Sequence, residues 1–207
     1  MPVWQALREE LKARNLEVIT VACDSKGPAA AESWIKQANP QHPSLIDTQH
    51  RVPELYNAKN VPAIYWIDEQ GRIVRANDPV YITRRNRDTG ETTVNNDYLN
   101  AVRDWAAKGP RSVFVQDEPS MRAHTGEQGP EDVQALVSFR LGVYLAQQDA
   151  VAHFKRAHHL KPTNWTYKRQ AFNMGNIEKD YGMTFQQARE DPASQPFYPP
   201  LDLPKPS

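Results

Sequence analysis

The sequence holds a single cysteine, Cys23, in 207 residues. One thiol forms neither an internal disulfide nor a CxxC exchange pair, so a disulfide framework and a two-cysteine redox motif are both excluded from these residues. Charge of one sign is also missing, because 25 basic residues balance 25 acidic ones. A general phosphate binder carries a basic excess or stripe. The one local cluster, Arg84, Arg85, Asn86 and Arg87, is followed at once by Asp88 and Glu91 and reads as a solvated loop, so no nucleic-acid partner is expected. Long apolar runs are lacking too. None approaches the roughly eighteen residues of a membrane-spanning helix, and the first twenty residues, with Arg8, Glu9, Glu10 and Lys12, read as an amphipathic helix rather than a signal peptide. Compact metal-ligand spacing is absent as well. His42 and His50 flank a short strand with Asp47 between them, but strand alternation does not bring both imidazoles to one point. His158 and His159 are adjacent and so diverge by about 100° around a helix; with His153 they read as a solvated polar face. No metal and no cofactor is expected.

What is present concentrates in Asn60 to Asp78. Ala63 to Asp68 is an apolar, aromatic and β-branched run, Glu69-Gln70-Gly71 is a turn signal, and Arg72 to Arg75 alternates polar with apolar. That pattern predicts a β-hairpin. Pro62 stands at its start, where a residue without an N–H is tolerated, and the Val61–Pro62 bond is of the kind that adopts cis at low cost.

Upstream, Trp4, Leu7 and Leu11 recur at helical spacing, and Leu16 to Asp24 (LEVITVACD) reads as a strand covered on both faces. A crossover helix over Ala29 to Ala38 is predicted to lay Trp34 and Ile35 on the sheet, with Asp24 or Ser25 as its N-cap. Ser44 to Thr48 reads as a short strand and Val52 to Asn57 as a stub of helix. LEVITV and AIYWID are expected to pair in parallel within one mixed sheet. Ala76 to Asn96 is polar and reads as an insertion with a small hairpin of its own. Asp97 is expected to cap a helix burying Leu99, Val102, Trp105 and Ala106. Asp117 to Pro130 shows no periodicity. Val133, Leu136, Val137, Arg140, Leu141, Tyr144 and Leu145 outline one amphipathic helix; Val151, Phe154, Ala157 and Leu160 outline a second; Trp165 to Asn176 continues as a third. From Asp191 the prolines 192, 196, 199, 200, 204 and 206 favour an extended tail, docked through Phe197 and Tyr198.

The order and spacing of the elements over residues 1–108 resemble a thioredoxin-like redoxin of the ResA/TlpA type, related to the AhpC/TSA proteins. The resemblance implies an α/β fold, a mixed sheet flanked by helices, here followed by an α-helical extension. It implies thiol-disulfide exchange with a protein thiol or disulfide substrate. In that family a CxxC pair opens the first helix, where the helix N-terminus lowers the thiol pKa. Met1 to Leu7 looks like the middle of that helix, and Cys23 matches no catalytic cysteine of the family and reads as a buried structural thiol. No catalytic residue is therefore assigned. The family receives an extended substrate segment at its proline loop, which points to Asn60, Val61, Pro62 and Ala63 as substrate-binding residues. Asp24 lies where such proteins place an acid near the redox site. A missing coding segment upstream of Met1 and a genuinely degenerate domain both stay open; a selenocysteine codon read as a stop or a fragment would give the same pattern. The resemblance implies an extracytoplasmic setting if the frame extends upstream.

Residues 139 to 165, with Leu141-Gly142, Ala150, Phe154, Ala157 and Pro162, weakly resemble a tetratricopeptide repeat, with Gly142 to Ala150 about one helical turn too short. The expected organisation is a thioredoxin-like domain over 1–108, a linker over 109–130, a helical hairpin extension over 131–182 and a Pro-rich tail over 183–207. The alternative to a redoxin inactive on its own is a non-catalytic protein-binding module, in which an exposed strand edge favours strand addition or a homodimer.

Overall fold

The computed structural model of the protein describes residues 2–86, 88–145 and 150–205; Met1, Arg87 and Pro206 lie outside them. The first helix, α1 (Pro2–Leu11), buries Leu7 and Leu11, and its Trp4 meets Tyr98 edge-on at 6.5 Å. Strand β1 (Thr20–Cys23) and strand β2 (Ser44–Asp47) pair in parallel with Cys23 opposite Asp47. Helix α2 (Pro28–Ala38) crosses between them.

Two expectations about α2 are corrected. Its N-cap is Gly27, with Pro28 in the first turn, where the missing N–H costs no helical hydrogen bond. Asp24 instead closes a local turn by accepting from the Lys26 N–H at 2.9 Å. Its inward face is the small Ala31, while Trp34 is 72% exposed. Choosing among faces about 100° apart on a short helix depends on what the helix packs against, and a small residue lets the backbone approach closely.

A stub helix, α3 (Arg51–Leu55), leads to the hairpin of β3 (Ile64–Ile67) and β4 (Ile73–Asp78). The Asp68 carboxylate shapes its turn by accepting from the Gln70 and Arg72 N–H groups, and Gly71 takes the positive φ of 76° the turn requires. The insertion carries its own hairpin of β5 (Thr83–Arg85) and β6 (Thr92–Val94). Helix α4 (Asn96–Lys108) buries Tyr98, Leu99, Ala101 and Val102; Asn95, not Asp97, is its N-cap and accepts from the Tyr98 N–H at 3.1 Å.

The single mixed sheet is also corrected. Among the described residues the strands form three two-stranded ladders, and β1 does not pair with β3. Thr20 and Asp24 direct their N–H groups to Pro43 and Asp47, so by alternation Val21, Cys23 and Ser25 face the other edge. There a glutamine from the C-terminal half takes the place of a strand. The Gln170 amide donates to the Cys23 carbonyl at 2.9 Å and accepts from the Ser25 N–H at 3.0 Å.

The segment expected as a linker is structured. Gln116 donates its N–H to the Val74 carbonyl and accepts from the Ala76 N–H along β4, and helix α5 (Glu118–Thr125) follows, capped by Asp117. Beyond it lie α6 (Pro130–Tyr144), α7 (Ala150–Leu160), α8 (Trp165–Met174), α9 (Ile177–Tyr181) and α10 (Phe185–Glu190). Thus the irregular tail begins only after a short turn at Pro192–Ser194.

Two cores result. One joins Leu7, Leu11, Trp66, Tyr98, Leu99 and Phe114; the other joins Ala135, Phe139, Phe154, Ala157, Tyr167 and Ala171. Helix α6 faces the second core with Ala135, Ser138, Phe139 and Gly142, whereas Val133, Val137, Leu141 and Tyr144, read as its apolar face, are exposed. Gly142 permits the approach of α7: a Cβ there would lie 2.6 Å from the Phe154 ring. His158 is not on a solvated face. It stacks on Tyr181 and meets Phe172 edge-on, and burial pulls its pKa down to about 4.

Candidate functional site

The proline loop runs from Lys59 to Ala63, and its Val61–Pro62 peptide bond is cis. Lys59 presents its carbonyl to the first N–H groups of α8, Trp165 at 2.6 Å and Thr166 at 3.2 Å. Those are donors a helix start leaves without internal partners. The buried Asn60 organises the loop from within. Its Oδ1 accepts from the Val61 N–H at 2.8 Å and from Arg169 Nε at 2.9 Å, and its Nδ2 donates to the Phe197 carbonyl.

The Val61 carbonyl accepts the Tyr198 hydroxyl proton at 2.8 Å. That phenol oxygen in turn contacts the Tyr81 hydroxyl at 2.7 Å and accepts from Arg169 Nη2 at 3.0 Å. The proton inventory closes, because Tyr198 donates to Val61 while Tyr81 and Arg169 donate to Tyr198. Burial and the Tyr81 hydroxyl raise the Tyr198 pKa well above a free phenol. Of the four predicted binding residues, Asn60 and Val61 are thus held by the chain's own Arg169, Phe197 and Tyr198, while Pro62 and Ala63 are half-buried.

Asp24 and Cys23 lie at the end of β1. The Asp24 N–H donates to the Asp47 carbonyl at 3.2 Å. Cys23 is half-buried, and desolvation together with the nearby Asp47 pushes its thiol up to about 12, which disfavours the reactive thiolate at neutral pH. Consecutive residues of α8 connect this end of β1 to the proline loop: Arg169 reaches Asn60 and Tyr198, and Gln170 reaches Cys23 and Ser25. One turn on, Asn173 accepts from Lys26 Nζ at 3.2 Å. Sequence reasoning named both ends and the helix over Trp165 to Asn176, and missed that Arg169 and Gln170 on that helix join them. Nothing in the polar pair Arg169-Gln170 distinguishes it from a solvated helix face; Phe197 and Tyr198, two aromatics in a proline tail, were the readable signal.

His50, the N-cap residue of α3, is 1% exposed. Neither ring nitrogen has a hydrogen-bond partner among the described residues. Its ring meets Phe139 of α6 edge-on at 5.0 Å, and burial lowers its pKa to about 4 against the pull of Asp47 and Asp24. Among the described residues, no three His, Cys, Asp or Glu side chains converge on a point that would hold a metal ion. None of the helices is long and apolar enough to cross a membrane, again among the described residues.

The helix-crossed parallel pair, the proline loop and the antiparallel hairpin make a mixed α/β arrangement consistent with a thioredoxin-like redoxin. Residues 1–76 match the AhpC/TSA family, a span that runs from α1 into β4 and contains Asp24 and the whole proline loop. Neither a curated protein nor a solved structure gives a match to the chain.

Proposed function

We propose that this chain presents a redoxin groove of the ResA/TlpA type whose proline loop, Asn60 to Ala63, receives an extended segment of a protein thiol or disulfide partner. As it stands, the chain does not perform the exchange. Exchange requires a thiolate to attack one sulfur of a disulfide, forming a mixed disulfide and releasing the other sulfur as thiolate. The observation that carries the reading is that the segment matching the AhpC/TSA family contains the whole proline loop while its one thiol, Cys23, is half-buried opposite Asp47, a setting that raises the thiol pKa. Asp24 sits beside it with its carboxylate committed to a local turn, which supports a positioning role over proton transfer. On this reading residues 1–108 form the redoxin unit, 131–182 the helical extension, and 109–130 the packed connection. The test is dithiothreitol-driven reduction of insulin by the full chain and by Cys23→Ser. Both are expected to run at the protein-free rate; turnover by the unmodified chain that disappears in Cys23→Ser contradicts the proposal.

A second reading, a non-catalytic protein-binding module, draws support from α6. Val133, Val137, Leu141 and Tyr144 recur at helical spacing on its outer side and are all exposed. A contiguous exposed apolar stripe of this kind is characteristic of interaction surfaces.

A further inference from the structure

The segment Gln195–Pro200 lies over the proline loop without helix or strand of its own. It is pinned at both ends. Before it, the Ser194 carbonyl accepts from Trp165 Nε1 at 2.9 Å, and the Ser194 hydroxyl meets Lys168 Nζ. After it, Leu201 and Leu203 pack on the first core, and the Asp202 carbonyl accepts from the buried Arg75.

Between the pins, the hold is made by the Phe197 and Tyr198 side chains, the Phe197 carbonyl and the Gln195 amide, which donates to the Arg189 carbonyl. Phe197 inserts its ring against Trp165 at 4.5 Å, with the Arg189 and Arg169 guanidinium groups 4.9 and 5.1 Å from its centre. Its carbonyl accepts from Asn60, and Tyr198 donates to the Val61 carbonyl. The groove floor belongs to the body of the protein, for Trp165 and Asn60 are buried, whereas Pro196 and Pro200 are exposed. Tyr81, which meets the Tyr198 hydroxyl, also lines an open cavity of about 320 Å³ with Val94 and Leu201. Asn60 is buried, where a polar group without partners is costly, and the half-buried Val61 carbonyl also gains from a donor. Yet nothing in the geometry requires that those partners come from the same chain.

We propose that Gln195–Pro200 is a displaceable internal ligand: a strap that fills, in the resting protein, a groove able to bind an extended aromatic-aromatic-proline-proline segment of another polypeptide. Proline keeps such a segment extended at low entropic cost before binding, and aromatic-lined grooves exploit this. The aromatic cage selects the first ring, Val61 and Asn60 read the main chain and the second ring, and the strap competes for all three. The inference rests on the reading of the proline loop as a peptide-receiving groove.

The experiment is fluorescence anisotropy with a labelled peptide of sequence QPFYPPLDL, using the full chain and its Phe197→Ala/Tyr198→Phe variant. The strap variant is expected to bind at least tenfold more tightly than the unmodified chain, and adding Asn60→Ala and Arg169→Ala to it is expected to remove the gain. A strap variant that unfolds like the unmodified chain and binds no more tightly overturns the proposal. Hydrogen exchange on the unmodified chain provides an arm that needs no variant: excess unlabelled peptide is expected to speed exchange at the Phe197 and Tyr198 amides, and unchanged exchange there overturns it equally. A disulfide-bearing extended peptide without aromatics separates the two readings. If the strap variant binds it as well as QPFYPPLDL, the aromatic selectivity proposed here is wrong and the groove stands; if it binds neither, both readings fall.

Discussion

His50 is a buried imidazole with no hydrogen-bond partner among the described residues, and Phe139 from the other half of the chain meets its ring edge-on. Protonating it places a charge where no water can solvate it. Its folded pKa, about 4, lies below the ordinary 6.5, as does that of His158. The unfolded chain therefore binds protons first as pH falls. The stability that each neutral histidine contributes is complete above pH 6.5 and is lost between 6.5 and 4, by about 3 kcal/mol per residue from the shift itself. Urea unfolding at pH 7 and pH 5 is expected to show about 2 kcal/mol of this loss per histidine, and His50→Leu is expected to flatten the profile by its share; an unchanged pH slope in that variant contradicts the assignment. Arg75 is the second residue on which much rests. It donates to Asp78 and to the Phe114 carbonyl, while Tyr98 donates to the same Asp78 oxygen and Trp66 to Tyr98. Burial lifts the Asp78 carboxyl above its ordinary value, while Arg75 and Tyr98 hold it down. Arg75→Met leaves that carboxylate buried without its cation, and a loss of about 3–5 kcal/mol in denaturant unfolding is expected. Neither role was legible in the sequence. His50 looked like half of a dispersed histidine pair, and Arg75 sat in an ordinary alternation; what decides both is the partner brought from far along the chain.

At the scale of elements, the sequence was most informative where a local pattern alone determines the outcome. The turn at Asp68 to Gly71, the hairpin around it, the insertion hairpin and the extents of α4 and α7 follow from residues within a few positions of one another. Faces and pairings did not follow. Trp34 was expected inward because it is large and apolar, and Ala31 took that place. The outer edge of β1 was expected to meet β3, and Gln170 meets it instead. A side-chain amide carries the same donor and acceptor as a strand's main chain, which nothing in a helical sequence advertises. Gln170→Ala removes both hydrogen bonds and is expected to cost about 1–3 kcal/mol while speeding hydrogen exchange at Ser25; unchanged exchange there contradicts the edge-pairing role. Gly142 was noted for a repeat-like spacing, and its physical role is the close crossing of α6 and α7. A Cβ at 2.6 Å from Phe154 forces the helices apart, so Gly142→Ala is expected to destabilise the chain by about 1–3 kcal/mol, read from the urea midpoint.

On the scale of the whole molecule, the C-terminal half completes the redoxin-like half instead of trailing from it. Helix α8 holds the proline loop and the end of β1 together, the tail covers that loop, and Asp202 closes the buried Arg75 network. The redoxin resemblance could be read from residue order in the first 108 positions. The completion could not, because it depends on contacts between residues more than 100 positions apart. On the function proposed above, the proline loop receives an extended partner segment while the one thiol is withdrawn from exchange chemistry. Titration of Cys23 with 5,5′-dithiobis(2-nitrobenzoate) at pH 7 tests that claim most directly. The account predicts no release of chromophore from the native chain over minutes and one equivalent at once in denaturant; one equivalent released promptly from the native chain would contradict it.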